Sequence, residues 1–172
     1  MSRAFIALGS NLANPLAQLQ RATESIAGIA GSQILALSPI YRSTAVGPGD
    51  QPDYLNAVLA LETELRPLAL LDALQDIENR QGRERKLRWG ARTLDLDLLL
   101  YDLDTLDHPR LTVPHPRLAE RNFVLYPLAD ICEPNLMLPG GTELGTLVAA
   151  CPRGDLQRTD FSLQTACDQG NQ

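Results

Sequence analysis

Two carboxylates two residues apart, Asp95 and Asp97, stand inside the apolar run Leu94-Asp95-Leu96-Asp97-Leu98-Leu99-Leu100. In an extended strand, residues i and i+2 point the same way, so the aspartates share one face while Leu94, Leu96 and Leu98 share the other. A carboxylate buried without a partner is costly, and two on one face also repel each other. Three arrangements answer this. Arginines can pair with the aspartates, and the stretch just upstream is the nearest source. A divalent metal can bridge them, hard oxygen ligands suiting Mg2+. Or the face is simply solvated at a sheet edge, since Asp-x-Asp is short and common.

The segment upstream narrows the chemistry. Between Arg80 and Arg92 lie Arg80, Arg83, Arg85, Lys86, Arg88 and Arg92 against one acid, Glu84. Six of the fifteen cationic residues therefore sit in a short span of a chain whose formal net charge is −6. A charge run is most often a solvated face. Beside paired carboxylates it also suits a metal–polyphosphate ligand, in which metals bridge phosphate oxygens and arginines neutralise the rest. The only tryptophan, Trp89, falls in the same stretch.

The elements that must carry these groups follow from periodicity. At 172 residues, 44% hydrophobic and 21% charged, the composition is that of one globular domain. A sequence pI near 4.8 argues against a nucleic-acid partner. Cys132, Cys151 and Cys167 lack Cys-x-x-Cys spacing, so neither a zinc site nor a disulfide framework is indicated. With no long apolar run and no leader pattern, the expectation is a soluble cytoplasmic protein with no membrane partner. Residues 4–8 read as a strand ending in Gly9-Ser10-Asn11, and helical spacing follows at Leu16, Leu19, Ala22 and Ile26. Neither a P-loop nor a dinucleotide glycine motif occurs. Gly28 and Gly31 break the helix. A second strand is expected over 34–41, a polar loop over 43–52, and a strand over 54–62 whose alternation puts Tyr54 and Asn56 on one face. An aromatic face beside an amide suits a flat hydrogen-bonding heterocycle, although a core tyrosine and a turn asparagine read equally well from these two alone. A helix is expected over 67–81, opened by Pro67. After the aspartate strand come an acidic surface hairpin, an extended Val113-Pro114-His115-Pro116 loop, an apolar helix after Phe123 and a short helix over 144–150. Beyond Pro152 the chain is polar without periodicity. The spacing therefore predicts an α+β fold on a mostly antiparallel sheet.

Taken together, Arg88-x-Gly90-Ala91-Arg92-x-x-Asp95-Leu96-Asp97-Leu98-Leu99 resembles the signature of the 6-hydroxymethyl-7,8-dihydropterin pyrophosphokinase family. So do Ile6-Ala7-Leu8-Gly9-Ser10-Asn11, the block Asp50-Gln51-Pro52-Asp53-Tyr54-Leu55-Asn56, and Arg110 to Leu128. The resemblance spans about 4–150, with one departure at Ala45, where the family usually has proline. It implies a ferredoxin-like three-layer αβα sandwich forming a pyrophosphokinase domain over 1–158, followed by a disordered tail over 159–172. It implies Asp95 and Asp97 as catalytic ligands of two Mg2+ ions, with Arg83 and Arg92 as further catalytic residues. Glu78, Arg85, Arg88, Leu98, Arg110, Thr112, His115 and Arg121 match ATP-binding positions. Ser43, Thr44, Val46, Tyr54, Asn56, Trp89 and Phe123 match pterin-binding positions, with Tyr54 and Phe123 on opposite faces of the ring.

The implied reaction moves a diphosphate from ATP to the hydroxymethyl oxygen of 6-hydroxymethyl-7,8-dihydropterin and releases AMP, in folate synthesis, by a protein acting as a monomer. Two other classes compete. A different Asp-x-Asp metalloenzyme would be indifferent to pterin. An RNA-binding module would show an aromatic sheet face and a basic surface.

Overall fold

The architecture comes from a computed structural model, which describes residues 1–11, 14–44, 53–82 and 94–165. Strand β1, Ser2–Ser10, alternates strictly. Ala4, Ile6 and Leu8 enter one apolar cluster, and Phe5 and Ala7 enter another on the opposite face. Helix α1, Pro15–Ala27, starts where Asn14 accepts the Ala17 N–H and Pro15 supplies a pre-set φ, and it ends at Gly28. Leu19, Ala22 and Ile26, one helical stripe, pack on the β1 face that holds Ile6.

The single strand expected over 34–41 is two strands, β2 Ser32–Leu37 and β3 Pro39–Ser43. The reason lies at Ser38-Pro39. Proline has no N–H to offer a ladder. Ser38 makes its own pair with Val58, its N–H donating to the Val58 carbonyl at 2.9 Å and its Oγ accepting the Val58 N–H at 2.9 Å. Strand β4, Tyr54–Thr63, lies between β1 and the β2–β3 pair, antiparallel to all three. Helix α2, Pro67–Gly82, packs Leu70, Leu71, Leu74 and Ile77 beside α1.

Strand β5, Asp95–Tyr101, is the aspartate strand and pairs antiparallel with β1 at the sheet edge. A bulge at Leu99 lets two consecutive residues, Leu99 and Leu100, face the same cluster. A small hairpin of β6, Leu106–His108, and β7, Leu111–Val113, follows. Helices α3, Asn122–Asp130, and α4, Leu144–Ala150, cover the second sheet face through Val124, Leu125, Leu128 and Leu144.

The last strand corrects the sequence reading. Strand β8, Gln157–Ser162, pairs with β3, giving a described sheet order β5-β1-β4-β3-β8 with β2 also on β4. The expected boundary at 158 falls inside it. Mostly exposed side chains gave β8 no apolar period to read, since an edge strand is held by its backbone ladder. Leu163 beyond it is buried in the α1–α2 cluster, and Gln20 and Gln164 exchange hydrogen bonds. Residues 166–172 lie outside the described residues. Every described pairing is antiparallel, and helices lie against both sheet faces. No bare aromatic sheet face of the RNA-binding kind is present among the described residues. No described helix is long and apolar enough to cross a membrane.

Candidate active site

Pairing sets the carboxylates. Asp97 lies opposite Ala7 and Asp95 opposite Gly9, so both project on the α3 side near the end of β5. The described cation beside Asp97 is Arg121, whose guanidinium is 3.8 Å from the carboxylate. Both side chains are partly exposed, so this pair orients the groups more than it stabilises the fold. The same guanidinium lies over the Phe123 ring, 5.6 Å from its centre. Arg121 and Phe123 flank the first residue of α3, and the helix start therefore delivers both to the carboxylates.

Two clefts meet at this pair. The first has a volume of about 440 Å3 and is walled by Tyr54, Asn56, Ser43, Thr44 and Phe123, with Asp95, Asp97 and Arg121 along one side. Its size falls in the range of about 300–1,000 Å3 common for small-molecule sites. Asn56 is buried, and its amide donates to Ser43 Oγ at 2.8 Å. Gly9 faces it across the β1–β4 ladder. A Cβ there would sit 3.3 Å from Asn56 Oδ1, so glycine leaves room for the amide. Asn122 and Asp155 also line this cleft, and sequence reasoning singled out neither.

The second cleft, about 380 Å3, runs along the outer edge of β5 and is lined by Glu78, Leu98, Arg110, Thr112 and His115 together with both aspartates. An edge strand leaves backbone groups unpaired, and these groups help to recruit the cleft's walls. Glu78 Oε2 accepts the Leu96 N–H at 2.9 Å, and the His115 N–H donates to the Leu99 carbonyl at 2.9 Å. Arg110 pairs with Asp72 and reaches Gln75 Oε1 at 3.3 Å, so its guanidinium is held toward α2. His115 Nδ1 accepts the Arg117 N–H at 3.1 Å, which leaves the neutral ring's proton on Nε2. Burial pulls the His115 pKa below its ordinary value, against the opposing pull of Asp97 and with help from Arg121 and Arg117.

The described residues expected to bind pterin, Ser43, Thr44, Tyr54, Asn56 and Phe123, line one cleft. The described residues expected to bind nucleotide line the other, except Arg121, which lines the first cleft beside the carboxylates. Val46, Arg83, Arg85, Arg88, Trp89 and Arg92 lie outside the described residues. Gly9 was legible only as a turn residue. Asp155 gave no signal, because it stands in a polar stretch far along the chain.

Among the described residues no cluster of three or more His, Cys, Asp or Glu forms a cage. Mg2+ does not require one: it keeps several waters and binds through one or two carboxylates plus substrate phosphates. Asp95 and Asp97 fit that role.

Two clefts meeting at a carboxylate pair are the plan of a group-transfer enzyme with one ligand on each side. The family model for 7,8-dihydro-6-hydroxymethylpterin-pyrophosphokinase (HPPK) matches residues 5–133. The chain is 52% identical to the Pseudomonas aeruginosa 2-amino-4-hydroxy-6-hydroxymethyldihydropteridine pyrophosphokinase, covering 92% of this chain and 97% of that one. It is 49% identical to the Haemophilus influenzae protein of the same name, over 86% and 92% of the two chains. Among solved structures, wild-type HPPK-DHPS of Plasmodium falciparum superposes with a TM-score of 0.67 at 12% identity, over 87% of this chain. This chain matches only 44% of that one, a likeness of fold. The chain belongs to the 7,8-dihydro-6-hydroxymethylpterin-pyrophosphokinase family and is a pyrophosphoryl-transferring kinase.

Proposed function

We propose that this protein transfers the terminal diphosphate of ATP to the hydroxymethyl oxygen of 6-hydroxymethyl-7,8-dihydropterin, releasing AMP, in the synthesis of folate. The observation that carries the reading is the position of Asp95 and Asp97, shared by both clefts. The pterin occupies the first cleft, with Tyr54 and Phe123 on its two faces and Asn56 reading its hydrogen-bonding edge. ATP occupies the second, against Glu78, Leu98, Thr112 and His115, with its phosphates turned toward the carboxylates.

The acceptor oxygen attacks the β-phosphorus, the bond from that phosphorus to the oxygen bridging to the α-phosphorus breaks, and AMP leaves with that oxygen while the hydroxyl proton is lost. Asp95 and Asp97 would hold two Mg2+ ions. When bound, the metal supplies charge neutralisation for the phosphates and a lowered pKa for the acceptor hydroxyl. Arg121 adds positive charge beside Asp97, and the neutral His115 offers an Nε2 donor to a phosphate or ribose oxygen. Arg83, Arg85, Arg88 and Arg92 would grip the triphosphate and exclude water, with Trp89 and Val46 completing the pterin site. These last roles rest on the sequence resemblance. Helices against both faces of an antiparallel sheet support the ferredoxin-like three-layer reading. In this reading the protein acts as a cytoplasmic monomer, without nucleic-acid or membrane partners.

Ligand-induced thermal shift tests the pairing of the clefts. Pterin should raise the unfolding temperature of the wild type more strongly with a non-hydrolysable ATP analogue and Mg2+ present than without them. Saturation at about 100 times Kd is worth about 2.7 kcal/mol for one site. Asp97→Asn should remove the Mg2+-dependent part of the shift. Indifference to pterin under every condition would contradict the reading.

A further inference from the structure

A strap built from the C-terminal segment borders the first cleft through Asp155. After α4, the Cys151 carbonyl accepts the Tyr126 hydroxyl at 2.8 Å. Asn122, which lines the cleft beside Phe123, donates its amide to the Pro152 and Arg153 carbonyls at 3.2 and 2.8 Å. The Arg153 guanidinium lies over the Tyr126 ring and donates from Nε to the Leu156 carbonyl at 3.1 Å. On the far side, Leu156 is buried, β8 pairs with β3, and Thr159 Oγ1 donates to the Ile40 carbonyl at 2.7 Å.

Between these anchors stands Asp155. Gly154 precedes it with a φ of 58°, a left-handed conformation that favours glycine. Asp155 lines the cleft, and its Oδ2 accepts the Thr44 hydroxyl at 2.5 Å. Thr44 follows Ser43, whose Oγ accepts the Asn56 amide. This exposed carboxylate thus tethers Thr44, the residue that follows β3 and adjoins the partner of the buried amide. The strap lies wholly beyond residue 133, where the match to the family model ends.

We infer that Asp155 is a positioning residue for the heterocycle cleft, acting through Thr44 to hold Ser43 and Asn56 in their ligand-reading geometry. The inference rests on the reading of that cleft as the pterin site. Substitutions at its two ends separate this role from general stability. Asp155→Ala and Thr44→Val should each raise the pterin KM, and the Kd read by pterin fluorescence, by about fivefold to tenfold, the scale of one lost hydrogen bond to a charged acceptor. The ATP KM should stay within about twofold, since the second cleft is untouched. The double variant should be no worse than either single one, because both remove the same bond. Asp155→Asn should stay near wild type, its amide oxygen accepting the same hydroxyl.

Additive effects, or an Asp155→Ala variant with unchanged pterin KM, would overturn the inference. So would an Asp155→Asn variant as damaged as Asp155→Ala alongside a harmless Thr44→Val, which would mean that the carboxylate meets the ligand itself. Wild-type protein that binds no pterin would instead remove the functional reading, and the inference with it.

Discussion

Asn56 shows how little of a site one residue type declares. Its alternation with Tyr54 is visible in the sequence and survives in β4. What makes the amide usable is its surroundings, Ser43 as acceptor and the missing side chain at Gly9, which belong to two other strands. A side chain's partner across a sheet depends on register, and register is not written locally. Gly9→Ala tests the point. The added methyl presses on Asn56 Oδ1, so pterin affinity should fall several-fold while the unfolding free energy drops by only about 1 kcal/mol or less. Titration calorimetry with pterin beside chemical denaturation reads both. Unchanged affinity would show that the amide's placement is not critical.

Among the elements, those with strong periodicity were legible. The helix expected over 67–81 is α2, Pro67–Gly82, and the aspartate strand is β5. The expected strand over 34–41 is interrupted at Ser38-Pro39, where the side chain of one residue takes over a backbone role. The edge position of β5 was legible only as one of three alternatives, because leucines on both sides of the aspartates read equally well as burial. That position gives Glu78, matched in the sequence only to a nucleotide-binding position, a further role, since its carboxylate accepts the Leu96 N–H. Glu78→Ala should cost about 1–2 kcal/mol in denaturant unfolding, while Glu78→Gln, which can still accept, should cost less than half of that. Equal losses would contradict the edge-closing role.

A second element-scale link joins β3 to α3, where the Tyr41 hydroxyl donates to Asp130. Burial first, then that carboxylate, push the Tyr41 pKa up from 10.0 to about 12. The folded state therefore holds this proton more tightly than the unfolded one. The stabilisation is complete below pH 10 and is lost as pH climbs toward about 12. Tyr41→Phe should be less stable at neutral pH and should show a shallower decline between those limits. Parallel stability–pH curves for the two proteins would exclude the link.

For the whole molecule, the α+β class on a mostly antiparallel sheet was legible from spacing and the layering was implied only by the resemblance, whereas the closing segment was not legible. Residues 157–163 carry polar side chains and one phenylalanine, Phe161, that are all exposed except for the half-buried Thr159, and one leucine that is buried. Leu163 completes the α1–α2 core, so Leu163→Ala should cost about 2–5 kcal/mol, a large share of a small domain's stability. Calorimetry on the full chain checks this. A loss below about 0.5 kcal/mol, the size of an ordinary surface substitution, would mean that the segment does not contribute to the core.

Asp95 and Asp97 are proposed to join a nucleotide cleft to a pterin cleft for diphosphate transfer. The most direct test is the nucleotide product formed from ATP and Mg2+ with and without 6-hydroxymethyl-7,8-dihydropterin, on the wild type and on Asp97→Ala. AMP that appears only with pterin, and falls by at least about a hundredfold in the variant, is the predicted result, a loss of about 2.7 kcal/mol in transition-state stabilisation. ADP as the product, or AMP formed equally without pterin, would contradict it.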